Sequence, residues 1–341
     1  MERRLPRRVA AVFLLAVTAF FPDSPPRAAE NPERPLTLYT AMNATTPQIP
    51  LWAAIRAGWP AGRELVVEYW KTLDDLRGII LAGKGDMWMG HLEGFAQAAG
   101  RGAPVTVVAV TGWKKFYLVG TGRRDFSSSP SALEEIAAEL RQNGLPLPVA
   151  PRESPAAGIL ENMTVRGGPQ FTLAPMSAQQ LVLEMLRGKY PYAVLPEPMV
   201  SALLARQKDI RVLVSLEEEH ARRFGGEKRL PWVGIAVHRD FAAENPAFML
   251  SFLKILQQAA ADLEGNAEAA VDALPEEVVS MLGRAVLLDS LQRDMLLVLS
   301  ANEARREIED FLRMALPELR TPGAMDALMG AGFLFIPSCG Q

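Results

Sequence analysis

Residues 177–198 read SAQQLVLEMLRGKYPYAVLPEP, and this stretch decides the fold. Ser177 is a suitable helix N-cap, the apolar residues after it are spaced for one buried helical face, and Gly188 is typical of a helix end. The apolar run 192–195 is short, as in a strand buried on both faces. The stretch therefore predicts a helix followed by a parallel strand. It places residues 196–198 at the strand's carboxyl end, where open α/β sheets bind ligands.

Residues 72–90 read TLDDLRGIILAGKGDMWMG and repeat this pattern. Thr72 corresponds to Ser177, and Gly83 corresponds to Gly188. Each copy follows an apolar run, so the order strand, helix, Gly-Lys and strand occurs twice. Two interpretations are open: either any two βαβ units look alike, or the chain has two similar lobes that face each other across a cleft.

The composition is that of an ordinary globular protein. The chain has 341 residues, a length typical of about two domains, and a formal net charge of −3 without a basic stripe, so nucleic acid is not expected as a partner. The single cysteine, Cys339, makes neither an intramolecular disulfide nor a zinc cage. The sequence has no nucleophile elbow, Walker loop, H-E-x-x-H motif or EF-hand loop. We therefore expect no enzymatic activity, no cofactor and no metal site.

Residues 1–29 predict an export signal. Arginines near the N-terminus precede a short apolar segment, 9–21, which is shorter than the about 20 residues of a membrane span. Small residues at Ala28 and Ala29 indicate cleavage there, and Arg27 fits the minus-three position poorly. We expect an exported, periplasmic protein whose leader is either removed or retained as an N-terminal anchor.

Polar residues follow each of the first three predicted strands. They are Asn43 and Thr46, Lys71 and Thr72, and His91 and Glu93. The turn at Asn43 and Thr46 offers free backbone N–H groups that suit a carboxylate, phosphate or sulfonate, or these side chains simply cap the next helix. His91 is a candidate ligand contact, with a capping or packing role as the alternative.

Two apolar runs with almost no gap between them, 105–110 and 114–121, predict that the chain passes from one sheet into another. Trp113 lies at this crossing, and Trp232 begins a strand that should return the chain. The segment EEEHARR, residues 217–223, is typical of a solvated helical face. After residue 240 the composition turns helical, and one of the predicted helices covers residues 291–314.

Further polar candidates lie at predicted strand ends after the crossing at Trp113. Ser154 is the expected N-cap of a helix, with Arg152 and Glu153 beside the helix N-terminus. The alternative for Arg152 and Glu153 is a surface ion pair. Glu197 follows the strand of the second repeat.

Several motifs together resemble a known family. They are LTLYTAMN with IPLWAAIRAGW, LVVEYW with LAGKGDMWMG, VTVVAVTGWKKFYLVG, the 177–198 stretch, and GIAVHRDFAAENPAFMLSFLKIL. Their order resembles periplasmic solute-binding proteins of ABC importers, of the nitrate/sulfonate/taurine type that includes relatives binding thiamine-pyrimidine precursors. The resemblance covers residues 36–260. The second copy lacks the acidic residue that the family has shortly after the glycine at position 188, and the polar residues at the strand ends differ from those of the family. The resemblance therefore does not identify the solute.

The resemblance implies a type II, two-lobed periplasmic-binding-protein-like α/β fold, in which each lobe is a mixed sheet flanked by helices and the ligand cleft lies between them. Lobe one would be 36–113 plus 237–341, and lobe two 114–236. The chain would bind an anionic or an aromatic or heterocyclic small molecule as a monomer and deliver it to the membrane permease of an ABC importer. The expected ligand contacts are Asn43, Thr46, Lys71, Thr72, His91, Glu93, Trp113, Arg152, Glu153, Ser154, Glu197 and Trp232.

Two alternatives share this scaffold. One is an enzyme similar to pyrimidine-precursor synthases, and the other is a sensory module that presents its ligand to a membrane receptor.

Overall fold

The computed structural model describes residues 34–41, 45–59, 64–121, 129, 131–152 and 154–337, in which two β-sheets are flanked by helices. The strands are β1 (Leu36–Ala41), β2 (Leu65–Trp70), β3 (Met87–His91), β4 (Val105–Gly112), β5 (Phe116–Thr121), β6 (Leu147–Val149), β7 (Leu173–Pro175), β8 (Tyr192–Pro196), β9 (Ile210–Ser215), β10 (Val233–His238) and β11 (Leu299–Ser300).

The helices alternate with the strands and then dominate the C-terminal part. They are α1 (Thr45–Gly58), α2 (Leu73–Leu81), α3 (Leu92–Gly100), α4 (Ala132–Gln142), α5 (Ala156–Val165), α6 (Ala178–Leu186), α7 (Met199–Arg206), α8 (Leu216–Phe224), α9 (Arg239–Glu244), α10 (Pro246–Leu263), α11 (Ala267–Asp272), α12 (Glu276–Leu282), α13 (Arg284–Leu291), α14 (Arg305–Ala315) and α15 (Ala324–Gly330). A short 3-10 helix spans Pro317–Arg320.

The two sheets share one strand order. The first runs β11-β4-β10-β3-β1-β2 and the second runs β7-β6-β8-β5-β9. When β11 is left aside, both sheets have the same spatial order. The parallel strands of each sheet, numbered along the chain, lie in the order second, first, third and fourth, and one antiparallel strand separates the third from the fourth. Unrelated βαβ units need not agree in this way, so the shared order favours the interpretation of two similar halves. It also confirms the predicted α/β class with two mixed sheets.

The repeated sequence forms the same local structure in both sheets. Thr72 caps α2 in a reciprocal capping box with Asp75, and the Ser177 hydroxyl accepts a hydrogen bond at the start of α6. Gly83 and Gly188 end the two helices with φ of 65° and 70°, a conformation that costs a glycine little. The predicted caps and helix ends of both copies are confirmed.

Two connections link the sheets. Residues 113–115 lead from β4 to β5, and α8 with residues 225–232 leads from β9 to β10. They run side by side, since the Trp232 N–H donates to the Gly112 carbonyl at 2.9 Å. The strand β5 begins opposite the ends of β8 and β9, and β10 begins opposite the ends of β3 and β4. The carboxyl ends of parallel strands in both sheets therefore lie beside these connections.

One apolar core continues through both sheets. It includes Trp88 and Phe252 around the first sheet and Leu133 and Ile159 on helices of the second, and smaller clusters lie under α6 and α7 and around α11 to α13. Within the described part of the chain, no helix combines the length and apolar character needed to cross a membrane.

The helix predicted over 291–314 is wrong. The helix α13 ends at Leu291, β11 follows, and α14 begins at Arg305. The intervening residues are irregular because Arg293 and Asp294 hydrogen-bond or ion-pair with segments far away in sequence. Tertiary contacts of this kind override a helical pattern.

Candidate functional site

Polar side chains collect where β1, β3 and β4 end. Thr40, His91, Glu93 and Thr111, which we name the polar edge, are all buried. The Thr40 and Thr111 hydroxyls, His91 Nδ1 and both Glu93 carboxylate oxygens have no hydrogen-bond partner among the residues that the structure describes. Because buried polar groups are ordinarily hydrogen-bonded, such a concentration of exceptions is typical of a functional site.

The sheet register places members of the polar edge on a common face. Leu38 pairs with Met87, and side chains alternate along a strand, so Thr40 and His91 project from the same face of the first sheet. His91 is the N-cap residue of α3 but makes no side-chain capping bond. Its Nδ1 lies 3.4 Å from Glu93 Oε1, without forming a hydrogen bond.

The second sheet contributes a buried hydroxyl at the end of β6. Ser154 is buried, and its hydroxyl has no hydrogen-bond partner among the described residues. The prediction that Ser154 caps the next helix is wrong, because α5 begins at Ala156 with Pro155 as its N-cap. Ser154 is therefore one more unpartnered hydroxyl at the carboxyl end of a strand.

Glu197, at the end of β8, has a fully occupied carboxylate. Arg293 Nε donates to Oε1 at 2.7 Å, and the Ser201 amide and hydroxyl donate to Oε2 at 3.1 and 2.9 Å. The buried Lys115 ammonium donates to the Glu197 carbonyl at 3.2 Å. Glu197 thus holds the C-terminal segment against the second sheet, and its side chain is not free for a ligand in this conformation.

Asp294 lies within the same network. The Thr46 hydroxyl and the Met295 amide donate to its carboxylate, whereas Oδ2 is buried without a partner. Burial raises the pKa of Asp294 to about 7, against the opposing charge of Lys115. Burial also lowers the pKa of Lys115, although Asp294 and Glu197 counter this effect. Thr46, a predicted ligand contact, therefore anchors the start of α1 to this network.

Glu217 is a structural residue that the sequence analysis missed. Its Oε1 accepts from the Lys115 and Phe116 amides at 2.7 and 3.0 Å and from Trp232 Nε1 at 2.8 Å, and Ser215 donates to Oε2. These donors come from both connections between the sheets. Burial raises the pKa of Glu217 despite these bonds. The expectation of a fully solvated face over 217–223 is wrong here, since Glu217 is 0% exposed.

The two predicted tryptophans are packed in the core. Trp113 Nε1 donates to the Leu297 carbonyl at 2.9 Å, and the Arg229 guanidinium lies 4.8 Å from its ring centroid. Trp232 packs against Phe116 and Phe311. Both indoles are 0% exposed and their N–H donors are used, so they fix the connections rather than present a stacking face.

Three other predicted residues are exposed. Lys71 lines an open groove of about 550 Å³ beside α2, and Thr72 is occupied as the cap of that helix. Arg152 is exposed after β6. Asn43 and Glu153 lie outside the described residues.

A metal centre is not found in the described part of the chain. No group of three or more His, Cys, Asp or Glu side chains there is arranged to hold an ion. The His91–Glu93 pair therefore has no third ligand of these types among the described residues.

Comparison with known proteins gives matches only at the level of structure. No family model and no curated protein sequence matches the chain. An ABC transporter structure from Parabacteroides distasonis is 16% identical, with 90% of this chain and 98% of that chain covered and a TM-score of 0.66. The periplasmic aliphatic sulphonate-binding protein SsuA from Escherichia coli is 14% identical, with 90% and 94% covered and a TM-score of 0.66.

The periplasmic nitrate-binding protein NrtA from Synechocystis is 13% identical, with 88% of this chain and 85% of that chain covered and a TM-score of 0.63. At such identities the likeness concerns the fold. It extends over nearly the whole chain and agrees with the shared strand order of the two sheets. The chain adopts the periplasmic-binding-protein fold, with two mixed sheets flanked by helices.

Proposed function

We propose that this chain is an extracytoplasmic solute-binding protein that captures a small molecule between its two halves and delivers it to an ABC importer. The observation that carries the proposal is the polar edge: four buried side chains with unpartnered polar atoms at the carboxyl ends of strands. In an α/β sheet this is the position where ligands bind. Structural neighbours named as binding components of import systems support the same role.

We further propose that the chain has two lobes, and the presence of two sheets supports this division. We assign residues 36–113 and 233–341 to one lobe and 114–232 to the other, with the connections at 113–115 and 225–232 acting as hinges. The boundary expected after residue 236 moves to residue 232, because β10 pairs with β3 and β4 of the first sheet. Ligand binding would then favour the form in which both lobes contact the solute, and its effect is limited by the difference in affinity for the two forms. Ser154 would meet the solute from the second lobe.

The partners and location belong to the same proposal. The N-terminal arginines and apolar segment are typical of an export leader, and the neighbours are periplasmic proteins by name. We therefore infer a periplasmic monomer that docks on a membrane permease, binds no nucleic acid and catalyses no reaction.

A thermal-shift screen of residues 30–341 tests this function. The panel holds sulfonates, nitrate, bicarbonate, amines, flavins and aromatic carboxylates. A solute at 100 times its dissociation constant adds about 2.7 kcal/mol of stability, which is readily detected. A saturable shift with 1:1 stoichiometry supports the proposal. A flat screen, together with native mass spectrometry that finds no co-purified molecule, counts against it.

A further inference from the structure

We propose that the solute carries a positively charged nitrogen, as an ammonium or amidinium group, which pairs with Glu93 at the polar edge. The inference rests on the proposed function and narrows its ligand to one charge class. It differs from the sulphonate and nitrate named for two of the structural neighbours.

The carboxylate of Glu93 is the central observation. Glu93 is only 3% exposed, and neither oxygen accepts a hydrogen bond from any residue in the described part of the chain. A buried carboxylate without partners is costly, and a charged donor offsets that cost. The His91 ring nitrogen at 3.4 Å from Oε1 does not form that bond.

Two cations of the network around Glu197, the buried Lys115 and the half-buried Arg293, are already engaged. Lys115 donates to the Glu197 carbonyl, and Arg293 donates to the Glu197 carboxylate, to Ser201 and to Asp289. The two cations predicted to hold an anion, Lys71 and Arg152, are both exposed.

The two hydroxyls of the polar edge do not favour an anion. The Thr40 and Thr111 hydroxyls can donate or accept a hydrogen bond, so they favour neither a positively nor a negatively charged ligand. An anion at this edge would face the Glu93 carboxylate, whereas an ammonium or amidinium group would neutralise it. Since no third metal-ligating side chain joins His91 and Glu93 among the described residues, an organic cation fits better than a metal ion.

Two sets of matched probes test the charge class. Benzamidine, benzamide and benzenesulfonate share a ring and differ in the charge of the head group, as do propylamine, propanol and propanesulfonate for a short alkyl chain. Each probe is titrated into the wild-type chain by ligand-observed NMR. We expect the cationic member of at least one set to bind at least tenfold more tightly than its neutral and anionic counterparts.

Glu93→Gln supplies the second measurement, with Glu68→Gln on the exposed face of β2 as the matched control. Glu93→Gln should raise the melting temperature of the ligand-free protein, because it removes a buried carboxylate that accepts no hydrogen bond from the described residues, and should weaken the cationic probe at least tenfold. Glu68→Gln should change neither quantity. If Glu93→Gln unfolds the protein, the probe series on the wild type still decides.

The outcomes separate the inference from the proposed function. Preferred binding of benzenesulfonate or propanesulfonate, unaffected by Glu93→Gln, overturns the cationic ligand but leaves solute binding in place. The same affinity for all three members of each set also overturns it. Absence of binding by every probe, with no hit in the solute screen, counts against both.

Discussion

Arg293 donates from Nε to Glu197 Oε1 at 2.7 Å, across 96 residues of sequence. Glu197 ends β8 and its side chain is 0% exposed, whereas Arg293 follows α13. The pair therefore joins the C-terminal segment to the second sheet, and the arginine is the cation that balances a buried carboxylate.

Arg293→Met should reduce the free energy of unfolding by about 3–5 kcal/mol, because removing one partner of a buried pair leaves the other charge uncompensated. Urea denaturation measures this loss. The control is Arg305→Met, whose partner Glu309 is on the same helix and whose side chain is 46% exposed. That change should cost at most about 1 kcal/mol. Equal losses in the two variants would contradict the assigned role of Arg293.

Asp294 should make stability depend on pH. Its pKa is raised from 3.8 to about 7 in the folded chain, so between these values the folded state binds more protons than the unfolded state. The free energy of unfolding therefore falls as pH rises through this window. The charged groups that face Asp294 are Lys115 and Glu197, and both stay in place in the Asp294→Asn variant.

Asp294→Asn removes this contribution. Its stability relative to the wild type should rise across the window by on the order of 4 kcal/mol, as one pKa unit corresponds to about 1.4 kcal/mol. Urea titrations at pH values below, within and above the window measure the difference, with the exposed Asp209→Asn as control. A difference for Asp294→Asn that does not vary with pH would show that Asp294 is not the group responsible.

Glu217 should be a strong determinant of stability. Glu217→Ala leaves three buried donors at the connections without an acceptor, at about 1–3 kcal/mol each. We expect a total loss above about 3 kcal/mol. Glu217→Gln keeps an acceptor oxygen and should cost less than half as much.

Glu218 supplies the matched control. Its side chain is 49% exposed and bonds only to Lys114 among the contacts found, so Glu218→Ala should cost below about 1 kcal/mol. Thermal or urea unfolding separates these values. If Glu218→Ala lowered the free energy of unfolding as much as Glu217→Ala, the structural role assigned to Glu217 would be contradicted.

The hydroxyls of the polar edge should contribute little to stability. Because the Thr40 and Thr111 hydroxyls bond to none of the described residues, Thr40→Val and Thr111→Val should be neutral or stabilising, within about 1 kcal/mol. Thr106 is the control, since it is also buried but its hydroxyl donates to the Gly332 carbonyl. Thr106→Val should cost about 1–2 kcal/mol. A larger loss for Thr40→Val than for Thr106→Val would indicate a partner within the protein.

The sequence predicted those parts of the fold that depend on local pattern. Two equivalent units were predicted from a repeated pattern of helix cap, helix, glycine and strand, which begins at Thr72 and again at Ser177. The short gap before Lys114 predicted a connection between the sheets. The polar edge was partly predictable, because His91 and Glu93 follow a strand directly. Thr40 and Thr111 were not selected, since nothing local shows that a strand threonine lacks a partner.

The remaining differences come from contacts between distant segments. Glu217 looked solvated because its neighbours are charged, yet its donors Lys115 and Trp232 lie on other elements. Arg293 matched a helical pattern, but its bond to Glu197 interrupts that pattern. Neither contact leaves a signal within a short window of sequence.

The most direct test of a solute site at the polar edge is the dissociation constant of the best solute from the screen, measured by titration calorimetry. The wild type should bind one equivalent of solute, and Thr106→Val should bind it equally well. The double variant Thr40→Val with Thr111→Val should bind at least tenfold more weakly, which corresponds to a loss of about 1.4 kcal/mol of binding free energy. Unchanged affinity in the double variant would contradict the account, because the solute would then bind elsewhere.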